Sequence, residues 1–276
     1  MKKFDQKTAV VTGAGSGIGQ SLATQLAQLG CNLALADINT AGLQSTADKI
    51  EATTPNCNVT QHAVDVSDRE AVFALAQAID SQHSSVDIVI NNAGVAVGGR
   101  ISDLSFDDMQ WQMDINFWGV VHGCQAFLPY LERSEAAHIV NVSSVFGLIS
   151  VPTQGIYNAS KFAVRGFTEA LRLETLDSNI NVSAAFPAGI KTNIAKNARV
   201  TVELNKNHQN SNEYNASIEE LFNNTPERAA ADIIKGIQQN QPRIMVGQGA
   251  HRIDWLSRIS PKLASSFVLN KFKQVL

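Results

Sequence analysis

Between Thr12 and Gly19 the chain reads TGAGSGIG, directly after the apolar run Thr8–Val11 and directly before a helical pattern. At such a strand–turn–helix junction, glycines allow a tight turn, a close approach of the backbone to a pyrophosphate, and close packing of the helix on the strand. The first turn of the helix then offers unpaired N–H groups and a partial positive charge to the phosphates. The junction therefore predicts a dinucleotide-binding turn, which would be formed by Gly13, Ser16, Gly17, Ile18 and Gly19.

Up to about residue 190 the chain alternates short apolar runs with longer helical patterns. The runs are nearly continuous rather than alternately polar and apolar, which is typical of parallel strands covered on both faces. The later runs are Leu33–Ala36, Ile88–Ile90, Ile139–Val142 and Val182–Phe186. Repeated strand–helix–strand units predict an α/β fold, a Rossmann-like doubly wound parallel sheet with helices on both faces.

Two local signals predict where helices end and begin. Gly30 follows the first helical pattern, at a position where glycine commonly terminates a helix. Ser67 has Glu70 three residues later, which predicts a capping box with Ser67 as the N-cap of the next helix.

No linker divides the chain, so we expect one domain over residues 1–276. Residues 190–225 are polar and rich in Asn, and a long irregular stretch in a compact domain is usually functional, so we expect a substrate loop there. A helix over Pro226–Asn240 and a strand over Arg243–Val246 are expected next. Residues 250–276 then form a C-terminal extension.

Composition narrows the functional class. The chain has 44% hydrophobic residues and a net charge of −3, which argues against a nucleic-acid-binding protein. Its cysteines (Cys31, Cys57 and Cys124) and its six histidines show no metal-ligand spacing, so no metal is expected. We recognise neither a signal peptide nor an apolar stretch long enough to span a membrane, and we therefore expect a cytoplasmic protein.

Asp37 ends the second apolar run, 18 residues after Gly19. A carboxylate there can accept hydrogen bonds from both hydroxyls of the adenosine ribose, and its charge would repel a 2′-phosphate. Positions 16, 36, 38 and 39 hold no Arg or Lys that could neutralise such a phosphate. We therefore expect NAD rather than NADP as the cofactor. The alternative is that Asp37 only starts a turn before the next helix.

Tyr157 and Lys161 are four residues apart in a predicted helix and therefore share one face. A free phenol has a pKa of about 10 and is a poor base at neutral pH. A neighbouring ammonium favours the phenolate, so the pairing predicts a lowered pKa and a general acid/base. The same spacing also fits a surface helix with an exposed lysine, so the pair alone leaves both interpretations open.

Seven motifs together resemble the short-chain dehydrogenase/reductase family in its single-domain form. They follow the family's order and cover about two-thirds of the chain: TGAGSGIG at Thr12–Gly19, Asp65-Val66, NNAG at Asn91–Gly94, Asn116, the serine Ser144, YNASK at Tyr157–Lys161 and PAGIKT at Pro187–Thr192. Ser144 precedes Tyr157 by 13 residues, as the family pattern requires.

The resemblance implies a catalytic set of four residues. Tyr157 would move the proton at the substrate oxygen, while Lys161 would lower the pKa of Tyr157 and hold the nicotinamide ribose. Ser144 would hydrogen-bond the substrate oxygen and stabilise the charge that develops there. Asn116 would hold a water that relays protons through Lys161 towards solvent.

It also implies the remaining cofactor contacts. Asp65 and Val66 would flank the adenine, and Ile190 and Thr192 would contact the nicotinamide carboxamide. The adenosine side would be lined by the backbone of Asn92, Ala93 and Gly94. The hydride chemistry belongs to the cofactor, and the protein positions it.

The chain departs from the family pattern at Ala188, where a glycine is common. Alanine does not readily take a positive φ, so we expect the turn to differ slightly, and with it the placement of Ile190 and Thr192. Ser143 is a hydroxyl that competes with Ser144. In an extended segment Ser143 would point to the opposite face, so the spacing favours Ser144.

Two apolar segments without charge, Val95–Val97 and Val145–Ile149, predict walls for an uncharged, partly apolar alcohol, ketone or aldehyde. Ordinary core packing explains them equally well. The C-terminal extension is basic and amphipathic. We expect it to cover the pocket or to contact another subunit, rather than to bind a membrane surface.

The combined prediction is an NAD-dependent oxidoreductase that acts on CH–OH groups of a small molecule. The resemblance implies a homodimer or homotetramer that forms through helices around Phe106–Leu131 and Tyr157–Leu176. The alternative is a non-catalytic dinucleotide-binding or sensor protein on the same fold. Such a protein would be expected to have lost part of the Asn-Ser-Tyr-Lys set, which is intact here.

Overall fold

Parallel strands form the centre of the computed structural model, which describes residues 1, 3–201 and 222–272. The strands are β1 Thr8–Thr12, β2 Asn32–Asp37, β3 Val59–Ala63, β4 Ile88–Asn91, β5 Val97–Gly98, β6 Ala137–Val142, β7 Ile180–Pro187, β8 Arg199–Val200 and β9 Arg243–Val246. Seven of them form one parallel sheet in the order β3-β2-β1-β4-β6-β7-β9, while β5 and β8 pair separately. The predicted doubly wound sheet is therefore confirmed, with its switch point between β1 and β4.

Helices connect and cover these strands. In the described ranges they are α1 Gly17–Gln28, α2 Thr40–Thr53, α3 Arg69–Gln82, α4 Phe106–Met113, α5 Gly119–Leu131, α6 Gly155–Glu174, α7 Asn193–Lys196, α8 Pro226–Gln238, α9 Ala250–Ile259 and α10 Pro261–Phe272. A π turn, Asp114–Trp118, joins α4 to α5, and a 3₁₀ turn covers Val145–Gly147. None of these helices combines the length and the apolar character that crossing a bilayer requires.

The core consists of two apolar layers, one on each face of the sheet. Val11 on β1 packs with α1 and α8 in one layer, while the neighbouring Val10 packs with α3, α5 and α6 in the other. This alternation places both faces of every inner strand in apolar surroundings, and it explains why the strands appear as continuous apolar runs. Phe127 of α5 is among the largest fully buried side chains in the second layer.

Of the two helix boundaries predicted from local signals, the end of α1 is confirmed and the start of α3 is wrong. Gly30 follows the end of α1 with a φ of +91°, as predicted. The capping box was wrong: Asp68, not Ser67, is the N-cap of α3, and its side chain accepts a hydrogen bond from the Ala71 amide at 3.1 Å. Ser67 instead donates to Asp65 at 2.7 Å. Aspartate caps a helix as well as serine does. Because Ser67 and Asp68 are adjacent, the sequence did not decide which of them begins α3.

Towards the C-terminus, the strand over Arg243–Val246 is confirmed, and the preceding helix ends at Gln238 rather than Asn240. Strand β3 was not predicted. Residues 202–221 of the predicted substrate loop, and 273–276 of the C-terminal extension, lie outside the described residues.

Candidate active site

Glycine is required at several positions of the turn that follows β1. Gly13 and Gly17 have φ values of +65° and +54°, in the region that favours glycine. A Cβ on Gly19 would lie 2.1 Å from the Gly13 carbonyl oxygen. The N-cap of α1, Ser16, makes no side-chain cap, whereas α2, α3, α4 and α8 are capped by side chains. The first turn of α1 is thus left open to an anionic ligand.

Asp37 at the end of β2 is fixed against this turn. Its Oδ2 accepts a hydrogen bond from the Gly15 amide at 2.8 Å, and its Oδ1 accepts one from the Asn39 amide at 2.9 Å. Among the described residues Asp37 forms no ion pair. Its negative charge is therefore available at the end of β2.

Thr12 joins the ends of β1 and β4 at the switch point. Its Oγ1 accepts hydrogen bonds from the Asn92 and Ala93 amides, at 3.0 and 3.1 Å. The Asn92 side chain returns a bond from Nδ2 to the Thr12 carbonyl at 2.9 Å. Thr12 was not predicted as a site residue, although it is the first residue of the glycine motif.

Asn116 lies in the π turn and is fully buried. Its Oδ1 accepts from the Val95 amide at 2.8 Å, and its Nδ2 donates to the Val95 carbonyl at 3.0 Å and to Ser160 Oγ at 3.2 Å. A Cβ on Gly94 would lie 3.2 Å from Asn116 Oδ1 and 3.5 Å from Lys161 Nζ. The structure thus brings Asn116, Gly94 and Lys161 together.

Ser144, Tyr157 and Lys161 form one cluster. Ser144 hydrogen-bonds the phenol of Tyr157, which lowers the pKa of Tyr157, but burial outweighs this and raises that pKa to about 12. Lys161 donates from Nζ to the Val142 carbonyl at 3.1 Å, and burial lowers its pKa to about 8. The predicted downward shift of the Tyr157 pKa is therefore wrong, because the desolvation of the phenolate exceeds the stabilising interactions.

Ser143 has a different partner from Ser144. Its Oγ donates to the Lys161 carbonyl at 2.7 Å, so it contacts the backbone of α6. Ser144 Oγ, in contrast, accepts from the Phe146 amide at 3.1 Å and caps the 3₁₀ turn. The two neighbouring hydroxyls therefore separate as their spacing predicted.

The remaining predicted cofactor residues lie towards opposite ends of the carboxyl edge of the sheet, with Asp65 and Val66 after β3 and Thr192 after β7. Asp65 is held by Ser67, and the Val66 carbonyl hydrogen-bonds His122 Nδ1 at 3.1 Å. At the other end, Thr192 Cγ2 lies 3.1 Å from where a Cβ on Gly17 would be. Thr192 therefore reaches the glycine turn.

The turn that leads to Ile190 and Thr192 has its positive φ, +54°, at Gly189. Ala188 has no positive φ, so alanine is tolerated at the position where the family commonly has glycine. The expected difference from the family's turn stays a prediction. Ile190 itself is buried and pairs with Asn224 through an isolated bridge.

A cavity of about 950 Å³ adjoins this cluster. Its lining includes Val145, Phe146 and Ile149 from one predicted wall, together with side chains of α9 and α10. The Phe146 ring meets the Tyr157 ring edge to face, with centroids 6.0 Å apart. The other predicted wall, Val95–Val97, is not part of the lining, because Asn116 anchors Val95 and the segment pairs with β8.

Ion pairs tie α9 to α6, the helix that carries Tyr157 and Lys161. Arg243 on β9 pairs with Glu169 of α6 and, at 3.5 Å, with Asp254 of α9. Asp254 also pairs with Arg258 at 3.0 Å. The helix that carries Tyr157 and the helix that lines the cavity are thereby connected through one strand residue.

Comparison with known proteins agrees with this geometry. The family model described as short chain dehydrogenase matches residues 7–203. The protein SadH of Mycobacterium tuberculosis, named as an oxidoreductase, is 44% identical over 261 residues, which cover 94% of this chain and 92% of SadH. A 3-ketodihydrosphingosine reductase of Bacteroides thetaiotaomicron is 31% identical and covers 84% of each chain.

A solved structure gives the same result. The short-chain dehydrogenase/reductase from Burkholderia phymatum, determined in complex with NAD, is 33% identical, covers 95% of this chain and 96% of its own, and superposes with a TM-score of 0.85. Family model, relatives and fold coincide over most of the described residues. The chain therefore belongs to the short-chain dehydrogenase/reductase family of oxidoreductases.

Proposed function

We propose that the protein is an NAD-dependent oxidoreductase that interconverts a secondary alcohol and a ketone, or a primary alcohol and an aldehyde. Its substrate is uncharged and partly apolar, and Tyr157 is the general acid/base. The observation that carries this proposal is the grouping of Ser144 and buried Lys161 around Tyr157, at the edge of a largely apolar cavity. A non-catalytic dinucleotide sensor would have no use for this arrangement.

The residues of the cleft fit a dinucleotide. The absence of space for a Cβ at Gly19 and the uncapped first turn of α1 suit a pyrophosphate. Asp37 suits a ribose with free hydroxyls and opposes a 2′-phosphate, which favours NAD over NADP. The other proposed contacts are Gly13, Ser16, Gly17, Ile18, Asp65, Val66, Asn92, Ala93, Gly94, Tyr157, Lys161, Ile190 and Thr192.

The nicotinamide, when bound, supplies the chemistry of hydride acceptance and donation. The protein then handles one proton at the substrate oxygen. In carbonyl reduction, the Ser144 hydroxyl donates a hydrogen bond to that oxygen and Tyr157 gives it a proton. The Lys161 ammonium, 5.7 Å from the centre of the Tyr157 ring, stabilises the phenolate that remains. Asn116 anchors the loop beside Lys161 and serves the proton relay.

The pKa values favour one direction of proton transfer. A Tyr157 pKa of about 12 keeps the phenol protonated at neutral pH, and the protonated phenol is the form that donates a proton. At neutral pH the site is therefore in the protonation state that carbonyl reduction requires. The rate of alcohol oxidation rises with pH, because a larger fraction of Tyr157 is then the phenolate, which is the form that accepts a proton.

The test is cofactor turnover with alcohols and the matching ketones, followed by nicotinamide absorbance. Tyr157→Phe is expected to lower kcat by about 10²–10⁴-fold while NADH binding persists. Tyr130→Phe, which removes a hydroxyl from α5 outside the cluster, is the matched control and is expected to keep full activity. Full activity of Tyr157→Phe would contradict the proposal. NADH binding without turnover of any substrate would favour the sensor alternative.

We further propose a cytoplasmic homodimer or homotetramer. Apolar side chains that are exposed on the helices expected to form the interface support this assembly: Phe106, Trp118, Phe162 and Leu173. The cysteines in the described residues are free thiols, which suits a reducing compartment. Light scattering coupled to size-exclusion chromatography measures the assembly, and a monomeric mass would contradict it.

A further inference from the structure

We infer that the substrate is a long-chain, lipid-like alcohol or ketone, whose hydrocarbon chain extends from Tyr157 into the cavity closed by α9 and α10. This inference rests on the proposed function, because it assigns the substrate class of the same site. Its support comes from three properties of the cavity: where it begins, what lines it, and how it ends.

The cavity begins at the reacting group. Val145 directly follows Ser144, and Phe146 contacts the ring of Tyr157 edge to face. Both Val145 and Phe146 line the cavity. A substrate whose oxygen is hydrogen-bonded by Ser144 and Tyr157 therefore has its substituents directed at this space.

The cavity is larger than a short alcohol requires. Its volume of about 950 Å³ lies near the upper end of the range of about 300–1,000 Å³ for small-molecule sites. The apolar side chains in its lining include Ile149, Phe222, Ile253 and Val268. Each methylene buried against such walls strengthens binding by about fourfold, so a short alcohol would use little of the available binding energy.

The far end of the cavity is apolar at Trp255, and the lining also holds the exposed polar side chains of His251 and Arg252. Trp255 lines it and is 63% exposed, so this side chain lies where the cavity meets solvent. Ile259 and Leu263, 62% and 60% exposed, extend the apolar surface from α9 onto α10. Asp254 and Arg258 in the lining pair with each other. These two charges therefore require no charged partner on the substrate.

Homologous 2-alkanols from 2-butanol to 2-dodecanol, assayed with NAD, test the inference. We expect kcat/KM to rise by up to about fourfold per added methylene until the cavity is filled. Leu256→Trp fills the cavity from α9 and should move the optimum to shorter alcohols. Leu29→Trp makes the same exchange at an exposed position at the end of α1, away from the lining, and should leave the optimum unchanged.

A kcat/KM that is flat or falls with chain length, or a Leu256→Trp profile identical to that of the parent, would overturn the inference. Binding is measured separately through the emission of Trp255 on addition of 2-dodecanone, with Trp255→Phe as the blank. Binding without turnover would refute the proposed chemistry but support the chain-binding cavity. Turnover of short alcohols without binding of 2-dodecanone would support the proposed chemistry and refute the chain-binding cavity.

Discussion

The Nζ atom of Lys161 lies 5.7 Å from the centre of the Tyr157 ring and donates its hydrogen bond to the Val142 carbonyl. The ammonium is therefore held beside the phenol by the end of β6, with its side chain 97% removed from solvent. Burial lowers the pKa of Lys161 to about 8, below the 10.5 of a free lysine. A charge in this position opposes folding.

We expect Lys161→Met to stabilise the protein at pH 7 by about 1–3 kcal/mol while abolishing turnover. The folded pKa lies below the unfolded one, so the cost of the ammonium is full below pH 8 and fades as the pH rises towards 10.5. The stability advantage of the variant should shrink in the same interval. Thermal unfolding at several pH values measures it. Lys235→Met at an exposed position is the control, and a destabilised Lys161→Met at pH 7 would contradict the reasoning.

Two glycines should respond oppositely to alanine. In Gly19→Ala the new Cβ would lie 2.1 Å from the Gly13 carbonyl oxygen. We therefore expect the free energy of unfolding to fall by about 2 kcal/mol or more and NAD binding to be lost. In Gly166→Ala no atom of the same protomer lies within 4 Å of the new Cβ, and an alanine inside α6 should stabilise the protomer by about 0.5–1 kcal/mol. Denaturant unfolding and NADH titration distinguish them. Equal effects would show that the glycine turn is not rigid.

Asp37→Asn tests the preference for NAD. The amide keeps a hydrogen-bonding oxygen towards the Gly15 amide but removes the charge that opposes a 2′-phosphate. We expect the ratio of kcat/KM for NADP to that for NAD to rise about tenfold or more. Asp48→Asn, on the neighbouring helix α2, should leave the ratio unchanged. An unchanged ratio in Asp37→Asn would mean that the charge does not select the cofactor.

Asp87 is a buried structural centre away from the cleft. Its carboxylate accepts hydrogen bonds from Lys7 Nζ at 3.0 Å, the Thr8 amide at 2.9 Å, Ser85 Oγ at 2.6 Å and Ser134 Oγ at 2.5 Å. These donors lower its pKa despite the opposing effect of burial, which is the largest single contribution. The carboxylate thus joins the N-terminal segment to β4.

We expect Asp87→Asn to destabilise the protein by about 2–4 kcal/mol at pH 7. Because the folded pKa of Asp87 is depressed, its contribution is present above the unfolded pKa of about 4 and is lost as the pH falls through the folded value. The gap in melting temperature between parent and variant should therefore narrow on acidification. Asp177→Asn, at an exposed position, is the control; a gap independent of pH would refute the assignment.

The sequence predicted the sheet because its inner strands are covered on both faces and are therefore apolar throughout. The edge strand β3, Val59–Ala63, was missed because its residues are only half-buried or exposed, and most of them are polar. The π turn around Asn116 has no recognisable signal, since the helical pattern continues through it. The Tyr157 pKa was misjudged because spacing indicates a neighbouring charge but not the extent of burial.

The grouping of Ser144, Tyr157 and Lys161 was predictable from motif order, but the cavity was not. Its walls come from Val145–Ile149, from Ala188 and Gly189, and from helices α9 and α10, which only the fold brings together. The C-terminal helices could be recognised as amphipathic from the sequence. The surface on which they pack could not, because it is defined by contacts such as that of Val268 with Val151. Such long-range pairings leave no periodic pattern in a single sequence.

The ion pairs of Arg243 connect two parts of the chain that have different proposed roles. Under the proposed function, the residues that act on the reacting atoms lie before about 200. Helices α9 and α10 help to shape the space for the substrate, and α9 is tied back through Asp254, Arg243 and Glu169. A terminal segment attached in this way can be exchanged between relatives, together with its anchoring acid, without rebuilding the hydride-transfer site. If the proposed function holds, substrate range can diversify at the end of the chain while the chemistry is inherited intact.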